Sequence, residues 1–247
     1  MQKGASSKKK YTYIWVSAVV LVFGIFTVKE LTERLGNDTV VATDRMSNAI
    51  AADNLSYIVS DGKKRKIPNF SFTNQEGKPI TNQDFLGKVY VVDFFFTTCP
   101  TICPLMTSNL AEIQKTFSDR SDFAMASFTI NPRYDTPEVL KAYAKKYEAN
   151  TEKWSFITGP QPEIYELSKN GFHLLATENA DAPGGFEHSG LFALVDKDGY
   201  LRSRTDAYGN PLIYYRGTVS EAQGTNKAGE PQQITMLKED IQKLLSE

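Results

Sequence analysis

The sequence has few of the residues from which soft-metal and redox sites are built. Among 247 residues it contains two cysteines and two histidines. Two cysteines alone make an incomplete site for a soft metal ion, and only the two histidines can add an imidazole ligand. The chain can therefore build such a site only by combining its cysteines with a histidine.

The chain also lacks an excess of charge of either sign. It has 28 Lys and Arg against 29 Asp and Glu, for a formal net charge of -1. A nucleic-acid-binding surface needs a basic patch or stripe, so nucleic acid is not an expected partner. No internal repeat is evident. With 41% hydrophobic and 12% aromatic residues, the chain can bury one substantial core, which predicts one globular domain with additional segments.

One uncharged run stands near the N-terminus. The run YTYIWVSAVVLVFGIFTV, Tyr11–Val28, follows a lysine-rich segment. At a rise of about 1.5 Å per residue its helix nearly matches the roughly 30 Å hydrocarbon layer of a bilayer. The lysines favour a cytoplasmic N-terminus, and aromatic residues stand where interface anchors belong. The pattern predicts a cytoplasmic basic segment at residues 1–10 and a single transmembrane anchor at residues 11–28, in the inner (cytoplasmic) membrane.

A cleaved signal peptide shares these features and is the alternative. The sequence just after Val28 offers no convincing small-x-small cleavage site, which favours an uncleaved anchor. Both interpretations place the rest of the chain outside the cytoplasm, in a periplasmic or other extracytoplasmic compartment. Paired cysteines there need protection or a partner, because the compartment is oxidising.

The region after the anchor divides into a linker and a domain. Residues 29–66 are polar and small with no sustained period, and they end in the cluster Lys63–Lys66. We expect a linker there and a domain over residues 67–247. Within the domain, residues 208–233 are rich in Gly, Asn, Pro and Gln and are expected to form an irregular insert.

The domain sequence alternates strand and helix patterns. The run VYVVDFFF is apolar apart from Asp93 and predicts a strand covered on both faces. A helix is expected to start at the cap Thr136 with Pro137 as its first residue. Asp198-Gly199 predicts a hairpin turn. The resulting order β–α–β–α–β–α–ββ–α predicts an α/β fold with helices packed on a central sheet.

The two cysteines lie in FFFTTCPTICPLM, between a predicted strand and a predicted helix. The partial positive charge of a helix N-terminus stabilises thiolates. If the helix has begun by Cys99, then Cys99 and Cys103 are i and i+4 on one face, and both sulfurs can point at one ion. That spacing also permits a disulfide. The motif therefore fits both a metal site and a redox pair.

The two histidines differ in their surroundings. His188, in GGFEHSG, lies in a glycine-flanked loop just before the apolar run LFALV. Sites in α/β folds gather at the ends of core strands, so His188 is the candidate third ligand. His173 alternates with apolar residues and is expected to be structural. Two thiolates and one imidazole suit Cu(I), Cu(II) and zinc with an open position, and the spacing does not separate these metals.

Together with the motifs NPRYDTPEVLKAY, WSFITG and EHSGLFALVDKDG, the strand followed by CPTICP resembles the SCO/SenC family. Members of that family are membrane-anchored, thioredoxin-fold proteins that help assemble the copper centre of cytochrome c oxidase. The resemblance implies a thioredoxin-like fold, with a central mixed sheet flanked by helices and an N-terminal transmembrane helix. It implies one copper ion per chain, Cu(I) or Cu(II), held by Cys99, Cys103 and His188. The implied partners are the copper-bearing oxidase subunit and a copper donor protein.

The sequence departs from the family pattern in two places. The family commonly has Asp-Pro where this chain has Asn131-Pro132, and the acid that follows matches Asp135. Both Asn131 and Asp135 are expected behind the ligands, although the loss of a carboxylate at position 131 removes a charge there. The insert at residues 208–233 is also longer than usual for the family.

The competing function is a thiol–disulfide oxidoreductase or peroxidase of the thioredoxin superfamily. Asp93 lies six residues before the first cysteine, where a buried acid relays protons in those enzymes, and Cys99 and Cys103 would be the redox pair. Such enzymes place a cis-proline before the strand that faces the cysteines. This chain has no proline between Pro183 and Pro211, which favours a metallochaperone over a turnover enzyme.

Overall fold

The computed structural model describes residues 16–25, 29, 55–60, 62–206 and 210–247. The chain divides into two compact units, Met1–Asp44 and Arg45–Glu247. In the first unit, residues 16–25 form helix α1. None of the helices within these described ranges is both long and apolar enough to cross a membrane. The rest of the predicted span at residues 11–28, the basic segment 1–10 and residues 30–54 of the linker lie outside the described residues.

The second unit is built on a nine-stranded mixed sheet, which matches the predicted class. Its strands are β1 (Leu55–Tyr57), β4 (Ser71–Asn74), β5 (Pro79–Thr81), β6 (Val89–Phe95), β7 (Phe123–Thr129), β8 (Trp154–Thr158), β11 (Leu191–Val195), β12 (Leu201–Arg204) and β13 (Tyr215–Arg216). The order across the sheet is β1-β12-β11-β6-β7-β8-β4-β5, with β13 paired to β11. The pairs β6–β7 and β7–β8 are parallel and the remaining pairs are antiparallel.

Two small ladders stand beside the main sheet, and helices flank it. One ladder joins β2 (Val59–Ser60) to β3 (Lys63–Lys64), and the other joins β9 (Ala176–Glu178) to β10 (Phe186–His188). The helices are α2 (Cys103–Thr116), α3 (Pro137–Lys146), α4 (Gln161–Glu166) and α5 (Ile234–Ser246).

The long patterned segments fold as predicted. Every residue of β6 is buried, including Asp93, as a strand covered on both faces requires. The Thr136 side chain accepts from the Val139 N–H at the start of α3, with Pro137 as its first residue. Gly199 has φ +84° in the turn between β11 and β12, a conformation that favours glycine. These elements follow from local chemistry, so the sequence alone predicts them.

The sheet begins before the predicted domain start at Ile67. Leu55 pairs with Arg204 and Tyr57 with Arg202, so β1 forms an edge strand inside the stretch expected to be linker. The Arg202 guanidinium donates to the Leu55 carbonyl at 2.9 Å. A strand of three residues is too short for an alternating pattern to be recognised, and its place is set by its partner β12.

The segment expected to be an irregular insert contributes to the core. Its strand β13 pairs with β11 at Leu191 and Phe192. Tyr215 is fully buried, and its hydroxyl donates to Asp240 of α5 at 2.7 Å. No periodic pattern predicts this strand, because β13 has two residues and lies among Gly, Asn and Pro. Part of residues 208–233 is therefore built into the sheet, beside the strand that follows His188.

Candidate metal centre

Cys99 and Cys103 lie at the junction between β6 and α2. The Cys99 N–H donates to the Phe96 carbonyl at 3.2 Å in the turn after the strand, and α2 begins at Cys103. The premise that the helix has begun by Cys99 is therefore wrong. A proline disfavours the helical conformation of the residue before it. Cys99 precedes Pro100, which agrees with its place outside α2. A turn, rather than one helix face, brings the two thiols to the same place.

His188 ends β10, and its ring is held from several sides. Nε2 lies 3.1 Å from Cys103 Sγ, and Nδ1 lies 3.0 Å from the Ser189 carbonyl oxygen. A carbonyl only accepts, so Nδ1 carries the proton and donates, which leaves the Nε2 lone pair facing the sulfur. The Phe96 ring meets the imidazole edge to face, with centroids 5.9 Å apart. His188 is thus pre-oriented as a ligand through Nε2.

The structure brings together the three residues that the sequence analysis selected. One ligand atom from each of Cys99, Cys103 and His188 lies within 4.8 Å of the other two. All three residues are buried, and both cysteines are free thiols. Two sulfurs and an unprotonated imidazole nitrogen form a donor set that fits copper or zinc, with room for a further ligand.

A cavity of about 310 Å³ lies against this cluster. Cys99 and His188 line it, together with Pro183 and Phe186. Cys103 is only 1% exposed, against 7% for Cys99 and 9% for His188. An incoming ion or side chain would therefore meet Cys99 and His188 first.

The environment shifts the pKa values of the two thiols in opposite directions. The hydrogen bond with Cys103 holds the pKa of the Cys99 thiol well below its ordinary value, and the Thr101 hydroxyl adds to the effect. Burial, and next the donation to Cys99, raises the pKa of Cys103. Cys99 is therefore the thiol of the pair that ionises more readily.

His173, the other histidine, is not brought to this cluster. It is exposed and has φ +48°, at the end of the π-helical turn Leu167–Phe172 that follows α4. The structural role predicted for His173 stays a prediction.

Asp135 supports the cysteine loop from behind. Its buried carboxylate accepts from the Thr97 N–H at 3.1 Å and from the hydroxyls of Thr97 and Thr129. Thr97 lies two residues before Cys99, so these bonds hold the loop that carries the ligand. Burial raises the pKa of Asp135. Thr97 escaped the sequence analysis, although a hydroxyl residue so close to a ligand cysteine was a usable signal.

Asn131 takes part through its backbone. Its N–H donates to Thr129 Oγ1 at 3.0 Å, and its carbonyl accepts from the N–H of Tyr134 and of Asp135. The turn thus formed places the Asp135 carboxylate against Thr97. The structure gives Asn131 a role in shaping this turn, and the carboxylate behind the ligands is supplied by Asp135.

Asp93 is buried in β6, on the side of Ser127 and Trp154. The Ser127 hydroxyl donates to the carboxylate, and the Trp154 indole N–H donates to Ser127 Oγ at 2.8 Å. Burial raises the pKa of Asp93 to about 7, while the Ser127 hydrogen bond lowers it in part. The carboxyl is thus satisfied by a neighbouring donor, and a proton relay from Asp93 to the cysteines stays a prediction.

The raised pKa makes the stability of the metal-free protein depend on pH. In the unfolded chain the carboxyl titrates near its ordinary value of about 3.9. The folded state therefore holds a proton that the unfolded state has lost, and the stabilisation is present below about pH 4 and lost as the pH rises through about 7. We expect the free energy of unfolding to fall by about 2 to 3 kcal/mol from this group between pH 5 and pH 8.

Asp93→Asn removes this titration and is expected to flatten that fall. Urea unfolding of the reduced, metal-free chain at pH 5 and pH 8 measures it, with Asp119→Asn as the control because Asp119 is exposed. An Asp93→Asn slope equal to that of the unaltered chain would show that Asp93 is ionised in the fold throughout this range.

Residues 59–218 match the family model described as SCO1/SenC. A protein of Bacillus subtilis (strain 168) described as an SCO1 protein homolog is 33% identical over 57% of this chain and 74% of its own length.

Two solved structures are similar over most of the chain. The SCO1/SenC family lipoprotein of Bacillus anthracis str. Ames has a TM-score of 0.60 and 32% identity, covering 73% of this chain and 95% of its own. BsSco has a TM-score of 0.58 and 27% identity, covering 75% and 96%. BsSco is described as a member of the Sco family of cytochrome c oxidase assembly proteins in which a disulfide switch was identified.

Proposed function

Because the chain belongs to the SCO1/SenC family, we propose that it binds one copper ion and serves the assembly of cytochrome c oxidase. In this proposal Cys99, Cys103 and His188 hold the ion as cargo, and the protein delivers it to the oxidase copper centre or maintains the thiols of that centre. The observation that carries the proposal is the buried cluster of two sulfurs and one imidazole nitrogen within 4.8 Å of one another.

Three features of the cluster favour transfer over permanent storage. Three donors leave room for a ligand from the acceptor before an old ligand departs. The cavity of about 310 Å³ reaches Cys99 and His188. The pKa of Cys99 is lowered, so this thiol loses its proton to a metal ion more easily. The copper-bearing oxidase subunit as acceptor and a separate copper donor protein are parts of the same proposal.

The place of the protein in the cell is also a proposal. We propose that residues 11–28 anchor the chain in the inner membrane with the N-terminus in the cytoplasm and residues 67–247 outside it. The uncharged run and the preceding lysines support this arrangement. The Bacillus anthracis relative is described as a lipoprotein.

Metal content tests the proposal most directly. The full chain, purified without oxygen and then loaded with Cu(I), is expected to hold one copper per chain. X-ray absorption is expected to show sulfur and nitrogen ligands. Zinc retained in preference to copper, or copper without a nitrogen ligand, would contradict the three-ligand copper site.

A thiol–disulfide oxidoreductase is the second candidate, because Cys99 has a lowered pKa and lies beside a second thiol. The full chain is expected to show slow reduction of insulin disulfides without copper. Rapid turnover that survives His188→Ala and is lost in Cys99→Ser would favour the oxidoreductase. The full chain is the right material, since a domain starting at Ile67 would lack β1.

A further inference from the structure

The segment Tyr215–Val219 lies between the cysteine helix and the histidine loop. Its strand β13 pairs with the start of β11. The Gly217 N–H donates to the Gly190 carbonyl at 2.8 Å, two residues after His188. On its other side, the Gly217 carbonyl accepts from Asn109 Nδ2 at 2.8 Å. Gly217 is thus hydrogen-bonded at once to the loop that carries His188 and to α2, which begins at Cys103.

The contact is too close for side chains at the two glycines. A Cβ at Gly190 would lie 2.3 Å from Thr218 Cγ2 and 3.6 Å from Ile102 Cδ1, next to Cys103. A Cβ at Gly217 would lie 2.5 Å from the Phe192 ring. Such distances would force these segments apart. Close packing therefore joins the histidine loop, the segment Tyr215–Val219 and the start of α2, and it leaves them little freedom to shift.

Asn109 is a buried polar residue whose amide is directed into this contact. It is 3% exposed and lies on α2, six residues after Cys103. A buried carboxamide in a helix is costly unless its hydrogen bonds are made, and here the acceptor belongs to a segment distant in sequence. Its bond ties α2 to the segment that holds the histidine loop.

We propose that Asn109, acting through Gly217 and Gly190, is a positioning residue that holds His188 Nε2 at Cys103 Sγ. The inference rests on the proposed function, since it concerns the geometry of the same ligand set. It also gives the segment at residues 208–233 a task, because its middle part is the link between two ligand-bearing elements. In this proposal Asn109 acts through its hydrogen bond to Gly217 and does not itself bind the metal ion.

The matched control lies on the same helix. Gln114 is 7% exposed, and its amide donates to the Asn150 carbonyl at 3.3 Å, away from the histidine loop. Asn109→Ala and Gln114→Ala each remove one amide-to-carbonyl hydrogen bond made by a buried side chain of α2. A purely structural role predicts similar effects from both variants, whereas a positioning role predicts that Asn109→Ala alone affects His188.

The first measurement is made on the reduced, metal-free full chain by NMR. Nuclear Overhauser contacts between the His188 ring and the Cys103 β-protons are expected in the unaltered chain and in Gln114→Ala, and are expected to be lost in Asn109→Ala. Contacts kept in Asn109→Ala would overturn the proposal. If Asn109→Ala does not fold, Asn109→Ser, with a shorter donor, makes the same comparison.

The second measurement is Cu(I) affinity by competition with a chromophoric chelator. Asn109→Ala is expected to weaken binding about tenfold, the lower end for residues that orient a metal ligand, and to have less than a twofold effect when His188→Ala is already present. An equal loss in both backgrounds would show that Asn109 acts through general stability. If His188→Ala itself leaves the affinity unchanged, the proposed function fails, and the NMR contacts decide the positioning role alone.

Discussion

Replacing His188 with alanine is expected to weaken Cu(I) binding by at least ~100-fold, which is the upper end of the loss found for residues that only orient a ligand. The variant removes one of three donors and leaves Cys99 and Cys103 in place. Nε2 already faces Cys103 Sγ at 3.1 Å, with Nδ1 donating to the Ser189 carbonyl. Because the imidazole is already oriented, copper binding costs little free energy for ordering it. Removing the imidazole is therefore expected to lose nearly all of the binding free energy that this ligand contributes.

The other histidine supplies the matched control. His173 is exposed and outside the cluster, so His173→Ala is expected to keep the affinity of the unaltered chain. Affinity is measured by competition with a chromophoric chelator, with titration of two thiols and thermal unfolding as checks on the fold. Equal affinity in His188→Ala and His173→Ala would refute the three-ligand site.

The sequence allowed the ligands to be predicted because each has a local signal. The cysteines stand between an apolar strand and a helical pattern, and His188 stands in a glycine-flanked loop before another apolar strand. Long segments such as β6 and α3 are likewise specified by their own periodicity and caps. The prediction from the local pattern was wrong at Cys99, which precedes Pro100 and lies outside α2.

Features fixed by distant partners could not be predicted. Strands β1 and β13 have three and two residues, and each exists because a longer strand supplies its hydrogen bonds. The same is true behind the ligands, where Asp135 reaches Thr97 and Asn109 reaches Gly217. These contacts join residues 38 and 108 positions apart, so one sequence contains no local record of them.

Oxidation of the cysteine pair is expected to abolish copper binding. Formation of a Cys99–Cys103 disulfide removes two electrons from the two sulfurs, together with any protons they still carry, and leaves His188 as the sole remaining donor of the cluster. Both cysteines are free in the structure, and their sulfurs lie within 4.8 Å of each other, so the reaction needs only local adjustment of the turn between them. The lowered pKa of Cys99 and its greater exposure favour it as the sulfur that reacts first.

The expected course is that diamide, added as the oxidant, releases the copper from a loaded chain, and that a reducing agent restores one binding site. Released copper is measured with a chromophoric chelator and the disulfide by mass spectrometry after alkylation of the remaining thiols. Cys99→Ser is the control, because it cannot form the internal disulfide and its weaker copper binding is expected not to respond to diamide in the same way. Copper that stays bound while the disulfide forms would mean that other groups hold the ion. Copper that leaves and returns with the redox state would mean that the pair acts both as ligands and as the switch that sets when the cargo is released.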